Sequence, residues 1–321
     1  MDRRRFCSAL FASAVVPAWG ANEHEWPVKP VTLLVPGGTG GVVDIRARWL
    51  AQRLSSALGQ PFVVDDKPGA SGNIGMVAAA RSAADGYTLV MVHQGTMCVN
   101  THLMPNAGYA PLKDFTPITR VGFGPLALVV NPKLPVHSVT DLLQYMRTRE
   151  LNYGSPGFGT PPHLAAELFK LEAGVKATHV PYKGGGAAAS DLIAGHIDFS
   201  IEGLQVMEPH INEGRVRGLA VTGTRRVPVL PQLPTLREAG LPNYNYVGWV
   251  GLAAPAATPR PIVDKAWRAT SQILLSAEGR EFFARVGAEP GGDSQEAFEL
   301  LVRDEYEKWG RVVRESAIKA Q

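Results

Sequence analysis

The stretch "LLVPGGTGGVVDIRARWL", from Leu33 to Leu50, decides how the first unit of the chain folds. An apolar, strand-like run leads into "GGTGG" at residues 37–41, and a run with apolar residues at helical spacing follows. A glycine-rich turn between a strand and a helix offers free backbone N–H groups beside a helix N-terminus, which favours an anion. The open question is whether this loop binds the pyrophosphate of a dinucleotide or a smaller anion.

The alternation of strands and helices continues along the chain. It predicts strands at residues 31–35, 62–65, 87–92, 126–130, 151–153, 197–201, 218–221 and 246–253. It predicts helices at 44–58, 74–83, 138–148, 163–173, 187–194, 262–275, 278–286 and 294–317. This βαβ pattern is typical of parallel sheets with right-handed crossovers. We therefore predict two α/β lobes with a ligand cleft between them. The first lobe is discontinuous, 21–125 plus 248–321, because the helical tail packs back on it, and the second lobe is 126–247.

Residues 1–20 have the features of a cleavable signal peptide. Arg3–Arg5 precede a short uncharged apolar run at residues 6–16, and Ala18 and Gly20 supply small residues before a cleavage site. The run is too short for a membrane span, which needs about 20 residues. We predict export to the periplasm and leave the route open, because Cys7 and Ser8 are not the residues that usually follow twin arginines.

Export changes the charge and cysteine arguments. Removing residues 1–20 removes three arginines and one aspartate, which lowers the formal net charge from +3 to +1. No basic stripe remains, so a nucleic-acid partner is not expected. Cys98 is the one cysteine left, and the sequence predicts neither a disulfide framework nor a Cys-based metal site.

A dinucleotide site is the alternative from a different functional class. Gly38 and Gly40 begin a G-x-G-x-x-G pattern, and Asp65–Asp66 follow the second strand, where an acid that binds ribose is expected. The third glycine position is Val43, so the helix and strand cannot approach as that pattern requires. The sequence therefore disfavours an oxidoreductase, and we predict no catalytic residues, cofactor or metal.

Three further loops share the design of the first one. "HQGT" follows the third strand at residues 93–96, "GSPGFGT" occupies residues 154–160, and "YKGGG" occupies residues 182–186. Each offers backbone N–H groups, together with Ser, Thr, Gln or Lys side chains. Several such loops facing one another across a cleft would suit a small carboxylate with two acidic ends.

Long motifs in a fixed order carry a resemblance to a known family. They are "KPVTLLVPGGTGGVVDIRARWLAQRLSSALGQPFVVDDKPGASGNIG", "ADGYTLVMV", "PLKDFTPITRVG", "LNYGSPGFGTPPHLAAELFK", "HVPYKGGGAAASDLIAGHIDFSIEG", "LAVTGTRRVPVLPQLPTLREAGLPNY" and "GLAAPAATPRPIV". From Trp26 to Ala317 the chain resembles the tripartite tricarboxylate transporter substrate-binding proteins, also called Bug (Bordetella uptake gene) receptors. The resemblance implies an α/β, two-lobed periplasmic-binding-protein (type II-like) fold, each lobe a mainly parallel sheet flanked by helices.

The resemblance also implies the function and the site. Hinge closure would capture a small carboxylate (a di- or tricarboxylate, an amino acid or an aromatic acid) and deliver it to membrane permease subunits. A periplasmic sensor that signals instead of transporting is the runner-up, and we expect a monomer in either case. Backbone N–H groups, hydroxyls and waters would hold the ligand, rather than an arginine. The predicted contacts are Gly38, Thr39, Gly40, Gly41, Gln94, Gly95, Thr96, Ser155, Gly157, Phe158, Gly159, Thr160, Lys183, Gly184, Gly185 and Glu202.

The chain departs from the family pattern in three places. Thr39 replaces a proline in the first loop, His93 and Gln94 replace small hydroxyl residues after the third strand, and Glu202 stands where Asp is common. If Glu202 reaches the cleft, it favours a ligand with an ammonium group or holds a water. Asp44 is expected to secure the first turn of its helix rather than contact the ligand.

Overall fold

The computed structural model describes residues 26–104 and 106–315, so the predicted signal peptide lies outside the described residues. The strands are β1 (Val31–Val35), β2 (Phe62–Asp66), β3 (Thr88–His93), β4 (Phe115–Gly124), β5 (Leu126–Val130), β6 (Leu151–Ser155), β7 (Ala177–Pro181), β8 (Phe199–Gly203), β9 (Arg217–Val221), β10 (Gly248–Pro255) and β11 (Glu289–Pro290). The helices are α1 (Val42–Leu58), α2 (Asn73–Ala80), α3 (Asn100–Leu103), α4 (Pro111–Asp114), α5 (Val139–Met146), α6 (Pro161–Ala173), α7 (Gly185–Ala194), α8 (Leu204–Asn212), α9 (Arg260–Leu275), α10 (Ala277–Arg285) and α11 (Gln295–Glu315).

Two separate sheets organise these elements. The first has the order β11-β4-β10-β3-β1-β2 and the second has the order β7-β6-β8-β5-β9. We call each sheet with the helices packed on it a lobe. The chain changes sheet between Gly124 and Leu126, and returns between Val221 and Gly248. The two-lobed α/β prediction is confirmed, while the division at 125/126 and 247/248 remains a prediction.

Both sheets are mixed rather than mainly parallel. In the first sheet β1 runs parallel to β2 and β3, but β10 runs antiparallel to β3 and β4. In the second sheet β6 runs parallel to β7 and β8, but β5 runs antiparallel to β8 and β9. The antiparallel strands β4, β5 and β10 flank the two crossings. Their direction follows from the path of the chain between lobes, which the local βαβ pattern does not specify.

The C-terminal helix α11 packs on the first sheet. Phe298 of α11 lies edge-on to Trp249, with ring centroids 5.4 Å apart, and fills the space over Gly251 of β10. Trp309 of the same helix contacts Tyr246, just before β10. Of the described helices, none combines the length and the apolar character that a membrane span needs.

Helix α5 shows how local sequence sets an element boundary. Ser138 is the N-cap, and its side chain accepts a hydrogen bond of 3.1 Å from the backbone N–H of Asp141. The Asp141 carboxylate accepts in turn from the backbone N–H of His137, at 3.0 Å. The two bonds resemble a capping box, with the second donor one residue before the N-cap, and they confirm the helix start predicted from the sequence.

Replacing the cap should lower stability without touching the site. We expect Ser138→Ala to lower the free energy of unfolding by about 1 kcal/mol, because one N-terminal N–H loses its partner. Chemical unfolding measures the change. Thr140→Ala is the matched control, because Thr140 is exposed in the same turn. A loss equal to that of the control would contradict the capping role.

Candidate functional site

A cavity of about 350 Å³ lies between the two lobes, where the loops after the parallel strands meet. The carboxyl ends of parallel strands are the usual place for a ligand in an open α/β sheet. Both lobes and both crossings contribute to the lining, which includes Pro36–Gly38, Gly41–Val43, Arg46, Gly69–Gly72, His93, Gly124–Leu126, Pro156–Phe158, Thr160–Pro162, Pro181–Gly185, Glu202–Gln205, Gly248–Val250, Val286 and Ala288.

The lobes touch at two backbone-to-backbone contacts beside this cavity. A Cβ atom built on Gly38 would lie 2.5 Å from the carbonyl oxygen of Lys183, and one built on Gly95 would lie 2.3 Å from that of Gly159. Glycine is therefore required at both positions in this arrangement, because no real Cβ fits at such distances. The structure is that of closed lobes.

The first loop is held by the first turn of α1. The Asp44 carboxylate accepts from the backbone N–H of Gly40 at 2.8 Å and pairs with Arg48 at 2.6 Å. Asp44 is buried and does not line the cavity. Its carboxylate thus secures the loop and the helix start, which agrees with the expectation from the sequence.

Arg46 is a buried cation in the cavity wall. Its Nε donates to Gln205 Oε1 at 2.9 Å, and its Nη1 donates to the carbonyl of Gly122 at 2.8 Å. Burial lowers the pKa of Arg46 to about 9, so the guanidinium keeps its charge at neutral pH. Among the described residues no carboxylate lies within salt-bridge distance of it. The cavity therefore has a positive charge without an acidic partner.

Glu202 lines the same cavity from the C-terminal end of strand β8. The backbone N–H of Gly203 donates to its Oε1 at 2.7 Å, while Oε2 is buried beside Gly185 without a hydrogen-bond partner. Burial raises the pKa of Glu202 to about 7, because the charged form loses its hydration. At neutral pH this carboxyl is close to half protonated, so it opposes an anionic ligand only in part.

The loop Gly69–Gly72 carries unusual backbone. Ala70 and Ser71 have φ values of 46° and 57°, in the left-handed region that non-glycine residues avoid. Asn100 Nδ2 holds the turn by donating to the carbonyl of Ser71 at 2.9 Å. Such strain persists where the surroundings fix it and is concentrated at functional sites.

Comparison with known proteins gives the family. The family model of the tripartite tricarboxylate transporter family receptor matches residues 46–318. The chain belongs to this receptor family. It is 37% identical to Protein BugT of Bordetella pertussis over 322 residues, which covers 99% of each chain.

Two solved structures of relatives have the same fold. One is R. palustris Rpa4515 with adipate, which is 40% identical, with a TM-score of 0.87, 90% of this chain covered and 97% of that one. The other is MatC from Rhodopseudomonas palustris with bound malate, which is 32% identical, with a TM-score of 0.84, 90% of this chain covered and all of that one. The resemblance to Bug receptors stated from the sequence is confirmed.

The structure brings nine of the sixteen predicted contact residues to the cavity of this receptor. They are Gly38, Gly41, Gly157, Phe158, Thr160, Lys183, Gly184, Gly185 and Glu202. The other seven do not line it, namely Thr39, Gly40, Gln94, Gly95, Thr96, Ser155 and Gly159. As ligand contacts, all sixteen remain predictions.

The polar side chains outside the lining have partners elsewhere. Thr39 donates to Asp66 at 2.9 Å on the exposed side of the loop. The Gln94 amide donates to Glu305 and accepts from the Tyr246 hydroxyl. These contacts direct both side chains away from the cavity.

Thr96 and Ser155 are likewise occupied within their own loops. Thr96 Oγ1 donates to the carbonyl of His93 at 3.0 Å. Ser155 Oγ lies 2.7 Å from His179 Nε2 and accepts from the backbone N–H of Gly157 at 3.2 Å. Both hydroxyls therefore shape loops instead of facing the cavity.

Sequence reasoning missed Arg46, Ser71, Gln205 and Trp249 as lining residues. Arg46 lies between Ile45 and Ala47 on α1, where a cation is typical of a solvent-facing position, and no local pattern sets it apart. The carbonyl of Gly122 and the side-chain amide of Gln205, which lie 76 and 159 residues away in sequence, hold it inside. His93 also lines the cavity, and its departure from the family pattern is the feature of the sequence that indicates this position.

Glu202 should make stability depend on pH. Its folded pKa of about 7 lies above the ordinary 4.5, so its contribution is fully present below about pH 4.5 and is lost as pH rises through about 7. Between pH 4.5 and 8 we expect the free energy of unfolding of the ligand-free wild type to fall on the order of 3 kcal/mol relative to that of Glu202→Gln.

Chemical unfolding across this pH range measures the difference. Glu172→Gln is the control for loss of one carboxylate, because Glu172 is exposed on α6. If the unfolding free energies of the wild type and Glu202→Gln differed by the same amount at every pH, Glu202 would not titrate as the structure indicates.

Proposed function

We propose that the protein is an exported, periplasmic receptor that captures a small dicarboxylate between its lobes and delivers it to the membrane permease of its transporter. Capture and delivery involve no covalent step and no cofactor. Lobe closure is the mechanism, because a ligand that contacts both lobes stabilises the closed state by its differential affinity.

The observation that carries the proposal is the unpaired charge of Arg46 in the cavity wall. A buried cation without an acidic partner is costly, and a carboxylate in the cavity would supply the missing negative charge. Charge-assisted hydrogen bonds from a guanidinium to a carboxylate are among the strongest in proteins. The surrounding loops add helix N-termini, since α1, α6 and α7 begin at or beside lining residues.

The relatives support the choice of ligand class. The structures of Rpa4515 with adipate and of MatC with malate each hold a dicarboxylate. A cavity of about 350 Å³ is of a size suited to a molecule of this kind. The partial neutrality of Glu202 also fits an anion, because a fully charged carboxylate in the wall would repel it.

A thermal-shift screen tests the proposal. The mature chain is unfolded and refolded to remove bound ligand, then heated with adipate, malate, succinate, citrate, glutamate, benzoate and NADH. A ligand that binds only the native state raises the melting temperature by mass action. We expect stabilisation by at least one dicarboxylate and none by NADH. Stabilisation by NADH alone would contradict the proposal.

Arg46 should be required for this binding. We expect Arg46→Gln to weaken binding of the most stabilising dicarboxylate on the order of 10- to 100-fold, because a charge-assisted hydrogen bond is lost. Calorimetry measures the change in the dissociation constant. Arg53→Gln is the control, since Arg53 lies on the same helix but pairs with Glu278 and does not line the cavity. Equal affinity of wild type and Arg46→Gln would remove Arg46 from the binding site.

Closure should depend on Gly38. We expect Gly38→Ala to weaken dicarboxylate binding at least about tenfold, because the new methyl group keeps the loop away from Lys183. Gly186→Ala is the control at the same interface, where a Cβ would lie 3.5 Å from the carbonyl of Thr39. Small-angle scattering with and without ligand follows closure. A compaction of Gly38→Ala equal to that of the wild type would contradict the role of this contact.

A further inference from the structure

The His93 side chain is fixed at the cavity by its own loop. His93 ends β3, is 4% exposed and lines the cavity. Its backbone N–H donates to Thr96 Oγ1 at 3.1 Å, and its carbonyl accepts from the same hydroxyl at 3.0 Å. The backbone of His93 is therefore fixed before any ligand enters, and the backbone N–H of Gly95 contacts the ring itself.

The hydrogen bonds of the ring define its tautomer. The backbone N–H of Gly95 donates to His93 Nδ1 at 3.1 Å. A backbone N–H is a donor only, so Nδ1 must be the unprotonated nitrogen and Nε2 must carry the hydrogen. Burial lowers the pKa of His93 to about 4, which keeps the ring neutral at physiological pH.

His93 Nε2 has no hydrogen-bond partner among the residues that the structure describes. Because His93 lines the cavity, the cavity is the place where its partner would lie. Nε2 is not enclosed by protein atoms, so it is accessible to a molecule in the cavity, and an oxygen atom of a bound molecule would accept a hydrogen bond from it.

Sheet register places this donor relative to Arg46. Val250 of β10 is paired with His93 on one side and with Gly122 on the other. Gly122 is the residue whose carbonyl holds Arg46 Nη1. Two adjacent strand spacings separate His93 from Gly122, which is roughly 10 Å between their backbones. His93 and Gly122 therefore lie at the two ends of one row of paired residues across the sheet, and Gly122 is the end that holds the Arg46 guanidinium.

We propose that His93 is a specificity-determining residue, which donates a neutral hydrogen bond from Nε2 to an oxygen at the ligand's second polar end while Arg46 binds the carboxylate at the first. This inference rests on the proposed function and deepens it. It defines the ligand as an elongated molecule with one carboxylate and a distal acceptor oxygen, and the distal group need not carry charge. A dicarboxylate and its monoamide both meet this description.

Two substitutions distinguish the hydrogen bond that the His93 side chain donates from the space that its ring fills. His93→Gln keeps an acceptor for Gly95 and a donor for the ligand, while His93→Phe keeps a ring of similar size and has neither. With adipate, or malate if adipate gives no thermal shift, we expect His93→Phe to bind about 5- to 10-fold more weakly, and His93→Gln to stay within about threefold of wild type.

Nitrogen-15 NMR of the imidazole groups gives a readout that a purely structural role would not move. In ligand-free wild type we expect a neutral His93 ring protonated at Nε2, and an Nε2–H signal that shifts when adipate or malate is added. His163, whose Nδ1 also accepts a backbone N–H, at 3.2 Å from Gly159, is the internal control outside the cavity lining. A ring protonated at Nδ1, or an unshifted Nε2–H at saturation, would overturn the inference.

The ligand series completes the test. We expect adipic acid monoamide to bind wild type within about tenfold of adipate, and hexanoate, which lacks the distal oxygen, to bind more weakly than both. Equal binding of hexanoate and the monoamide would overturn the role of His93. Failure of every carboxylate to bind wild type would instead overturn the proposed function, so the two failures are distinguishable.

Discussion

The buried guanidinium of Arg46 is the constraint on which the site depends. Removing a cation from water costs several kcal/mol unless acceptors replace its hydration. The structure supplies Gly122 from the first lobe and Gln205 from the second, so one side chain joins α1, β4 and α8. These are neutral acceptors, and they leave the positive charge uncompensated. The closed lobes therefore enclose a cavity whose electrostatic character is set before any ligand is present.

Burial shifts the pKa values of two further groups in the cavity wall, Glu202 and His93, in the directions that favour their neutral forms. Desolvation acts in opposite directions on an acid and on a base, since it disfavours the charged form of each. It raises the pKa of Glu202 to about 7 and lowers that of His93 to about 4. Arg46 thus keeps its charge while His93 is neutral and Glu202 is only partly charged, and the wall has a positive balance although the chain without residues 1–20 has a formal net charge of only +1.

A network of hydrogen bonds beside the cavity also holds the second crossing between the lobes in place. Tyr246, which precedes β10 at the second crossing, donates to Gln94, and Gln94 donates to Glu305 of α11. The indole N–H groups of Trp249 and Trp309 donate to the same carboxylate, each at 3.3 Å. The loop beside His93 is therefore tied to the crossing and to the tail helix. Through this network the side-chain amide of Gln94, one of the predicted contact residues, is hydrogen-bonded within the protein.

The sequence alone determined the elements whose causes are local. The alternation of apolar runs, the glycine-rich loops and the capping-box-like helix start at Ser138 specify βαβ units, because each depends on neighbouring residues. The long motifs likewise indicated the receptor family. The tertiary structure decided what depends on residues distant in sequence: the antiparallel strands at the crossings, the inward position of Arg46, the occupied amide of Gln94, and the free Nε2–H of His93. A local pattern reports which groups a segment carries, but burial and hydrogen-bond partners supplied by other segments decide which of them remain available to a ligand.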